Sequence, residues 1–331
     1  MEHVLEITDL KISTLRGKET VPLLDKVSLK VGRQQCLGIV GESGCGKSIT
    51  ASALLQLLPY PLSVTGGSAF FTASSQARMD LLTLPPKLMR GIRGREIAMI
   101  FQEPMTSLDP IFTIQQQMFE ALHFHYPHMT HADRMDKSLS MLRKVNIPRP
   151  EQTLASYPHQ LSGGQLQRIM IAIALMNNPR LLIADEPTTA LDVTIQMQIL
   201  ELMNELKETN DASVIMITHD LGVIAETSQH VAVFYAGHIV EEAPVNELFH
   251  HPQHPYTKGL LQSISSLTGD SRQLYAIPGI VPPGGSWAAH CRFAARCSHA
   301  SGRCLTDMPA LTEAAPGHFC RCFLHSQEVE A

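Results

Sequence analysis

Residues 41–48 read Gly41-Glu42-Ser43-Gly44-Cys45-Gly46-Lys47-Ser48, with Ile49 next, and carry the G-x-x-x-x-G-K-S spacing of a loop that cradles phosphate. An apolar run, Cys36–Val40, precedes the loop and reads as a buried strand; a helical pattern from Lys47 to Leu58 follows it. Glycines at 41, 44 and 46 let the backbone curl into a ring of N–H groups without Cβ clashes. The helix start behind the ring adds partial positive charge. In such a loop Lys47 bridges the outer phosphates and the Ser48 hydroxyl ligates Mg²⁺. A glycine-rich turn could match the spacing by chance, and the strand before it and helix after it give the match its weight. Cys45 contributes its backbone.

Outward from the loop, short β-rich runs alternate with helical patterns through about residue 240, the rhythm of an α/β fold. Expected strands are Val4–Ile7, Cys36–Val40, Ile97–Phe101, Leu181–Ala184, Val214–Ile217 and Val231–Phe234. Expected helices beyond the first are Ile114–Phe124, Ala132–Val145, Gly164–Met176, Thr194–Glu208 and Leu221–Thr227. Several strands are apolar throughout, as in a mainly parallel sheet covered on both faces. The stretch from Phe101 to Pro158 is mostly helical and interrupts the strand rhythm, which predicts an inserted helical subdomain at about 102–178.

A second apolar strand ends in two acids, Asp185-Glu186-Pro187. It delivers Asp185 to the sheet edge, where it can hold Mg²⁺, and sets Glu186 just beyond, where a carboxylate can polarise an attacking water. Alone, two acids at a strand end are weak evidence, since solvated acids are common there. Together with the phosphate loop they read as a nucleotide-hydrolysing site.

Leu161-Ser162-Gly163-Gly164-Gln165 puts a hydroxyl and two glycine amides at a helix start, a second place for an anion. Ser162 also reads as an ordinary N-cap, and the two readings coexist. With this segment residues 1 to about 245 resemble the ABC ATPase family. The resemblance implies an ABC-type P-loop core with an inserted helical subdomain, and a signature turn offered across a dimer interface to ATP on a second subunit. It further implies that Gln102, in Phe101-Gln102-Glu103-Pro104, senses Mg²⁺ and water while its flanks contact membrane subunits. Ala190-Leu191-Asp192 matches the loop that crosses to the partner, and His219, in Ile217-Thr218-His219-Asp220, matches the residue that holds the γ-phosphate. The family usually stacks an aromatic on adenine near the end of the first strand. Lys11–Arg16 contains none, so adenine is expected to pack on Leu15 or another apolar side chain.

From Ala243 onward Pro and His become frequent, and a linker is expected near Thr268–Asp270. His254-Pro255-Tyr256-Thr257, with Leu260 and Leu261, and the phrase Phe101–Pro110 resemble ATP-binding subunits of oligopeptide, dipeptide and nickel importers. Residues 1–250 are thus read as the ATPase domain and 251–331 as that branch's C-terminal region. The tail carries Cys291, Cys297, Cys304, Cys320 and Cys322. Four thiolates at such spacing point to a metal or cluster. In some members of the resembling branch this tail holds an iron–sulfur cluster. His318-x-x-x-Cys322 fits their last element, so Cys291, Cys297, Cys304 and Cys322 are the expected ligands and Cys320 the alternative. A 4Fe–4S cluster, a Zn²⁺ ion and unligated thiols all remain open.

Composition sets the outer limits. Of 331 residues 44% are hydrophobic and 17% charged, with a net charge of −5, which gives no general attraction to nucleic acid. No apolar run reaches the ~20 residues needed to span a bilayer, and no secretory signal opens the chain, so a reducing cytosol is expected. The resemblance implies a second ATPase subunit, two membrane permeases and an extracytoplasmic solute-binding protein, with this chain peripheral on the cytoplasmic side of the inner membrane. A soluble ABC ATPase acting on DNA or ribosomes would carry two cassettes or a long coiled coil, and neither is present. The cargo is not readable from these residues themselves; the branch resemblance implies di- or oligopeptides, with nickel or a metal chelate as the alternative.

Overall fold

The computed structural model describes residues 2–17, 19–188, 192–268 and 276–325. The chain opens with an antiparallel hairpin, β1 (His3–Arg16) and β2 (Glu19–Gly32). Then β3 (Cys36–Val40) runs into the phosphate loop and α1 (Lys47–Leu54). β4 (Leu62–Thr72), β5 (Arg78–Asp80), α2 (Pro86–Ile92) and β6 (Ile97–Ile100) follow. Next come α3 (Pro104–Ser107), α4 (Ile114–His125), α5 (His131–Lys144), α6 (Pro150–Ala155) and α7 (Gly163–Leu175), with no strand among them. β7 (Leu181–Asp185), α8 (Val193–Asn210), β8 (Ser213–Ile217), α9 (Leu221–Thr227) and β9 (His230–Tyr235) restore the alternation. β10 (His238–Pro244), α10 (Val245–His250), α11 (Pro255–Thr268), β11 (Thr312–Ala315) and β12 (His318–Cys320) complete the chain.

Among the described residues the strands form two sheets, β2-β1-β4-β5 and β11-β12-β10-β9-β3-β8-β7-β6. In the larger sheet β9, β3, β8, β7 and β6 are parallel neighbours. Every residue of β3, β7 and β8 is buried, which is why these segments read as unbroken apolar runs rather than alternating ones. One apolar core joins a face of this sheet to α4, α5 and α7, and a second joins the other face to the antiparallel sheet and α1.

That topology sets the site. The phosphate loop leaves β3, His219 follows β8, Asp185 and Glu186 end β7, and Gln102 follows β6. Because β3, β8, β7 and β6 are consecutive and parallel, all four segments emerge along the carboxyl edge of one sheet, where open α/β sheets hold ligands.

Two expectations need correction. The first strand extends to Arg16 rather than stopping at Ile7, paired on both sides by β2 and β4. α1 stops at Leu54 instead of Leu58. Gln56 there takes a left-handed conformation, φ 51°, and its amide donates to the Leu81 and Leu84 carbonyls. The tail packs on the core, and the linker expected near Thr268–Asp270 lies mostly outside the described residues. β12 pairs with β10, Glu241 opposite Cys320, so the last strands extend the main sheet.

Candidate functional site

The loop 41–46 owes its shape to glycine at two places. Gly41 has φ 150°, and a Cβ there would strike the Phe234 carbonyl. Gly46 has φ 109°, and a Cβ would strike Leu24. Lys47 is buried; its ammonium donates to the Gly41 carbonyl at 2.7 Å and the Glu42 carbonyl at 3.1 Å. Cys45 is buried beside it, and burial pushes its thiol up, out of the reactive range. Ser43 and Gly44 are exposed, and Ile49 packs under the loop against the second core.

Asp185 is 3% exposed. Burial pushes its carboxyl up, with the Glu186 charge adding to the rise and a hydrogen bond from Ser48 and the Lys47 charge opposing it. Its Oδ1 has no hydrogen-bond partner among the described residues. A buried carboxylate oxygen left unpartnered beside a serine hydroxyl is a pair of oxygen donors that suits Mg²⁺.

Glu186 joins the other two residues named as catalytic. Gln102 Nε2 donates to its Oε2 at 3.2 Å, and His219 Nδ1 pairs with its Oε1 at 3.2 Å. Glu186 itself sits at φ 49°, a left-handed conformation that costs a non-glycine residue about 1–3 kcal/mol. Its N–H, donated to the Ile217 carbonyl at 2.8 Å, helps hold it there. The strain turns the chain sharply at the end of β7, where the carboxylate meets Gln102 and His219.

Ser162 caps α7. Its Oγ accepts the Gln165 N–H at 3.3 Å and the Gln165 side chain accepts the Ser162 N–H at 3.0 Å, a reciprocal capping box. Gly163 has open space around it, and the Gly164 carbonyl accepts from Arg168. Gln167, fully buried, ties this helix to the Pro187 carbonyl beside Glu186. Asp192 caps α8 by accepting the Ile195 N–H at 2.9 Å, whereas Ala190 and Leu191 lie outside the described residues. Leu15 is 51% exposed at the far end of β1. A cavity of about 810 Å³ lies between the main sheet and the helices after β6, lined by Leu57, Arg90, Phe101, Leu108, Phe112 and Phe124.

In the tail, Cys291, Cys297, Cys304 and Cys322 line one cavity of about 100 Å³, together with Phe293. Cys320 is absent from that wall and is fully buried. Its thiol donates toward Cys322, which pulls the Cys322 thiol down. Burial pushes Cys291 and Cys297 up. Among the described residues no three His, Cys, Asp or Glu side chains are close enough together to hold a single metal ion.

The ABC transporter family profile matches residues 24–189, and the profile of the oligopeptide/dipeptide transporter C-terminal region matches residues 240–304. The chain belongs to the ABC transporter family. As an ABC ATP-binding subunit it is an ATPase, and its relatives align along nearly the whole chain. The probable peptide ABC transporter ATP-binding protein y4tR of Sinorhizobium fredii is 47% identical over 98% of this chain and 96% of its own length. The oligopeptide transport ATP-binding protein AppD of Bacillus subtilis is 44% identical over 99% and 98%. The dipeptide transport ATP-binding protein DppD of Escherichia coli is 41% identical over 94% of both. The dimeric, post-hydrolysis structure of the ATP-binding cassette MJ0796 with ADP and Pi superimposes with TM-score 0.65 at 27% identity, covering 73% of this chain and 98% of that one.

Two residues of the ABC subunit that touch its phosphate loop were not assigned to it from sequence. Tyr256 Oη accepts the Glu42 N–H, and Arg296 pairs with the Glu42 carboxylate. Tyr256 stood out only as part of a motif, and Arg296 did not stand out at all. Likewise Glu241, fully buried, accepts from His318 at 2.7 Å, a contact that the spacing to Cys322 did not reveal. No helix among the described residues is long and apolar enough to cross a membrane.

Proposed function

We propose that this subunit powers a peptide importer, binding ATP between itself and a second ATPase subunit and using closure of that pair to move membrane permeases. The observation that carries the catalytic part is the Glu186 carboxylate, held at 3.2 Å by both Gln102 and His219 at the sheet edge. Residues 41–48 take the phosphates, with Lys47 on the outer pair. Glu186 accepts a proton from the attacking water, assistance worth about 10²–10⁴ in rate. His219 steadies the γ-phosphate and Gln102 the water. The serine-glycine turn at 162–164 serves the ATP held by the partner subunit, and Asp192 lies on the segment that crosses to it. Ser48, Gln102 and Asp185 would hold Mg²⁺, which neutralises charge on the β- and γ-phosphates. Positioning and charge do the chemistry, and transport follows from the conformational change.

The groove lined by Phe101, Phe112 and Phe124 supports a seat for a permease segment, because its exposed aromatics (39%, 43% and 51%) flank the residue that meets Glu186. In this reading the subunit sits peripherally on the cytoplasmic side of the inner membrane. Two permeases and an extracytoplasmic solute-binding protein complete the importer. The relatives named for oligopeptide and dipeptide transport support a peptide cargo.

For the tail we favour a 4Fe–4S cluster on Cys291, Cys297, Cys304 and Cys322, with Cys320 as hydrogen-bond donor. What supports this reading is that the four thiols line one cavity while Cys320 does not. Such a cluster would cross-link three loops of the tail. Iron and sulfide analysis of anaerobically purified protein separates it from a zinc site, and zinc in their place would reverse the assignment.

The test of function is reconstitution with the permeases and solute-binding protein of such an importer. Peptide should stimulate phosphate release and enter vesicles. Stimulation by nickel or a nickel chelate and not by peptide would replace the cargo, and no ATP-dependent uptake of either would overturn the importer reading.

A further inference from the structure

Glu42 belongs to the phosphate loop, yet the C-terminal segment holds it at both ends. Arg296 approaches its carboxylate with two nitrogens, Nη1 to Oε2 at 2.6 Å and Nη2 to Oε1 at 3.0 Å. The Arg296 side chain is only 5% exposed, so water competes weakly for it. Arg296 is itself fixed, since its Nε donates to the Pro278 carbonyl at 2.7 Å. At the backbone, the Glu42 N–H donates to Tyr256 Oη at 2.9 Å. The carbonyl of the same residue accepts from Lys47 at 3.1 Å. Any movement of Glu42 therefore moves a partner of the lysine that meets phosphate.

The same contacts lead back to the thiols. Tyr256, Tyr235 and Phe293 form one aromatic cluster, with ring centroids 4.7, 5.2 and 5.5 Å apart. Phe293 and Cys297 line the cysteine cavity, and Arg296 immediately precedes Cys297 in the chain. One aromatic layer and one guanidinium separate the cavity from the loop.

We infer that Arg296 and Tyr256 are positioning residues that fix the phosphate loop through Glu42, so that nucleotide affinity depends on how the C-terminal segment folds around its cysteines. A ring of N–H groups binds phosphate well when it is ordered beforehand; a loosened ring must be ordered at the moment of binding, which weakens affinity. Two charge-assisted bonds are lost on removing the guanidinium, but Glu42 is 31% exposed and can turn to water. The expected loss is therefore about tenfold, the low end for such a pair. Linkage makes the effect reciprocal, so nucleotide must also tighten the segment around Cys297.

This inference rests on reading residues 41–48 as the cradle for ATP. The test uses the full chain, titrated with a fluorescent ATP analogue and assayed for hydrolysis. R296A should bind about tenfold more weakly, with KM for ATP rising more than kcat falls, and R296K should recover part of the loss. The double variant R296A/E42Q should bind no more weakly than R296A, because both changes remove one interaction. Nucleotide should slow backbone hydrogen exchange in the segment around Arg296 in the wild type and not in R296A. Affinity in R296A within about twofold of wild type, or additive losses in the double variant, would overturn the inference. A wild-type chain that binds no nucleotide would overturn the reading of the loop itself, and this inference with it.

Discussion

Replacing His318 by Ala should release the last strands from the edge of the main sheet while leaving the sheet intact. Glu241 is 0% exposed on β10. Its Oε1 accepts His318 Nε2–H at 2.7 Å and the Gln253 N–H at 2.6 Å, and its Oε2 accepts the His254 N–H at 2.9 Å. His318 is 1% exposed, and β12 meets β10 at only two paired positions. The substitution leaves a buried carboxylate with its two amide donors but without its nearest side-chain donor. Removing one partner of a buried pair costs about 3–5 kcal/mol when nothing replaces it, and the surviving amides bring this toward the ~2–3 kcal/mol of one charge-assisted bond. At 1.4 kcal/mol per tenfold, that is about 30- to 150-fold lower protection in the strands that peel away. Hydrogen exchange read by mass spectrometry should show this in peptides covering β11 and β12, with β3 and β8 unchanged. The pH dependence has a definite sign. Burial raises the Glu241 carboxyl, but hydrogen bonds from His318, Thr257 and the two amides outweigh it and hold the group below its ordinary value of 4.5. A depressed carboxyl stabilises the folded form above its unfolded pKa and loses that contribution as pH falls through the folded value. Tail protection in the wild type should therefore hold down to about pH 4.5 and fall below it, and the fall should be absent in E241Q. Less than threefold loss of protection in H318A, or equal loss in β3 and β8, would refute the reasoning.

Three further outcomes follow from the site. G41A should reduce binding of a fluorescent nucleotide at least tenfold, because a Cβ at φ 150° meets a backbone carbonyl that cannot step aside; unchanged affinity would mean the loop is not built as described. S162A should destabilise the start of α7 by about 1 kcal/mol and lower ATP turnover in the assembled pair more than nucleotide binding to the isolated chain; equal effects on both would reduce Ser162 to a cap alone. C291S should lower the metal content and stability of the tail while nucleotide binding falls less, and unchanged metal content would take Cys291 off the ligand set.

The nucleotide site was legible because its residues are local in sequence and each follows a buried strand. Gly41–Ser48, Asp185-Glu186 and His219 all lie within a few residues of apolar runs that admit one reading. The antiparallel sheet was harder. β1 and β2 are broken by register shifts, which scramble the two-residue alternation that would mark them, and β4 carries Gly66 and Gly67 at its middle. The tail's attachment had no local signal at all. Arg296 and Glu42 are 254 positions apart, and an arginine before a cysteine looks like an ordinary solvated charge until the fold buries it. Glu241 carried no signal of its own in the sequence; the fold buries it and turns it inward to His318. The choice of Cys322 over Cys320 rests on a family resemblance; the cavity wall includes the former and omits the latter.

The most direct measurement is phosphate release and ATP retention by E186Q, assembled with magnesium and its companion proteins. Glutamine keeps the shape of the site and one acceptor oxygen, enough for the Gln102 bond, but cannot take a proton from water. Turnover should fall by about 10²–10⁴, with ATP held in a closed pair of ATPase subunits that sediments as a dimer. Phosphate release near the wild-type rate would contradict the account.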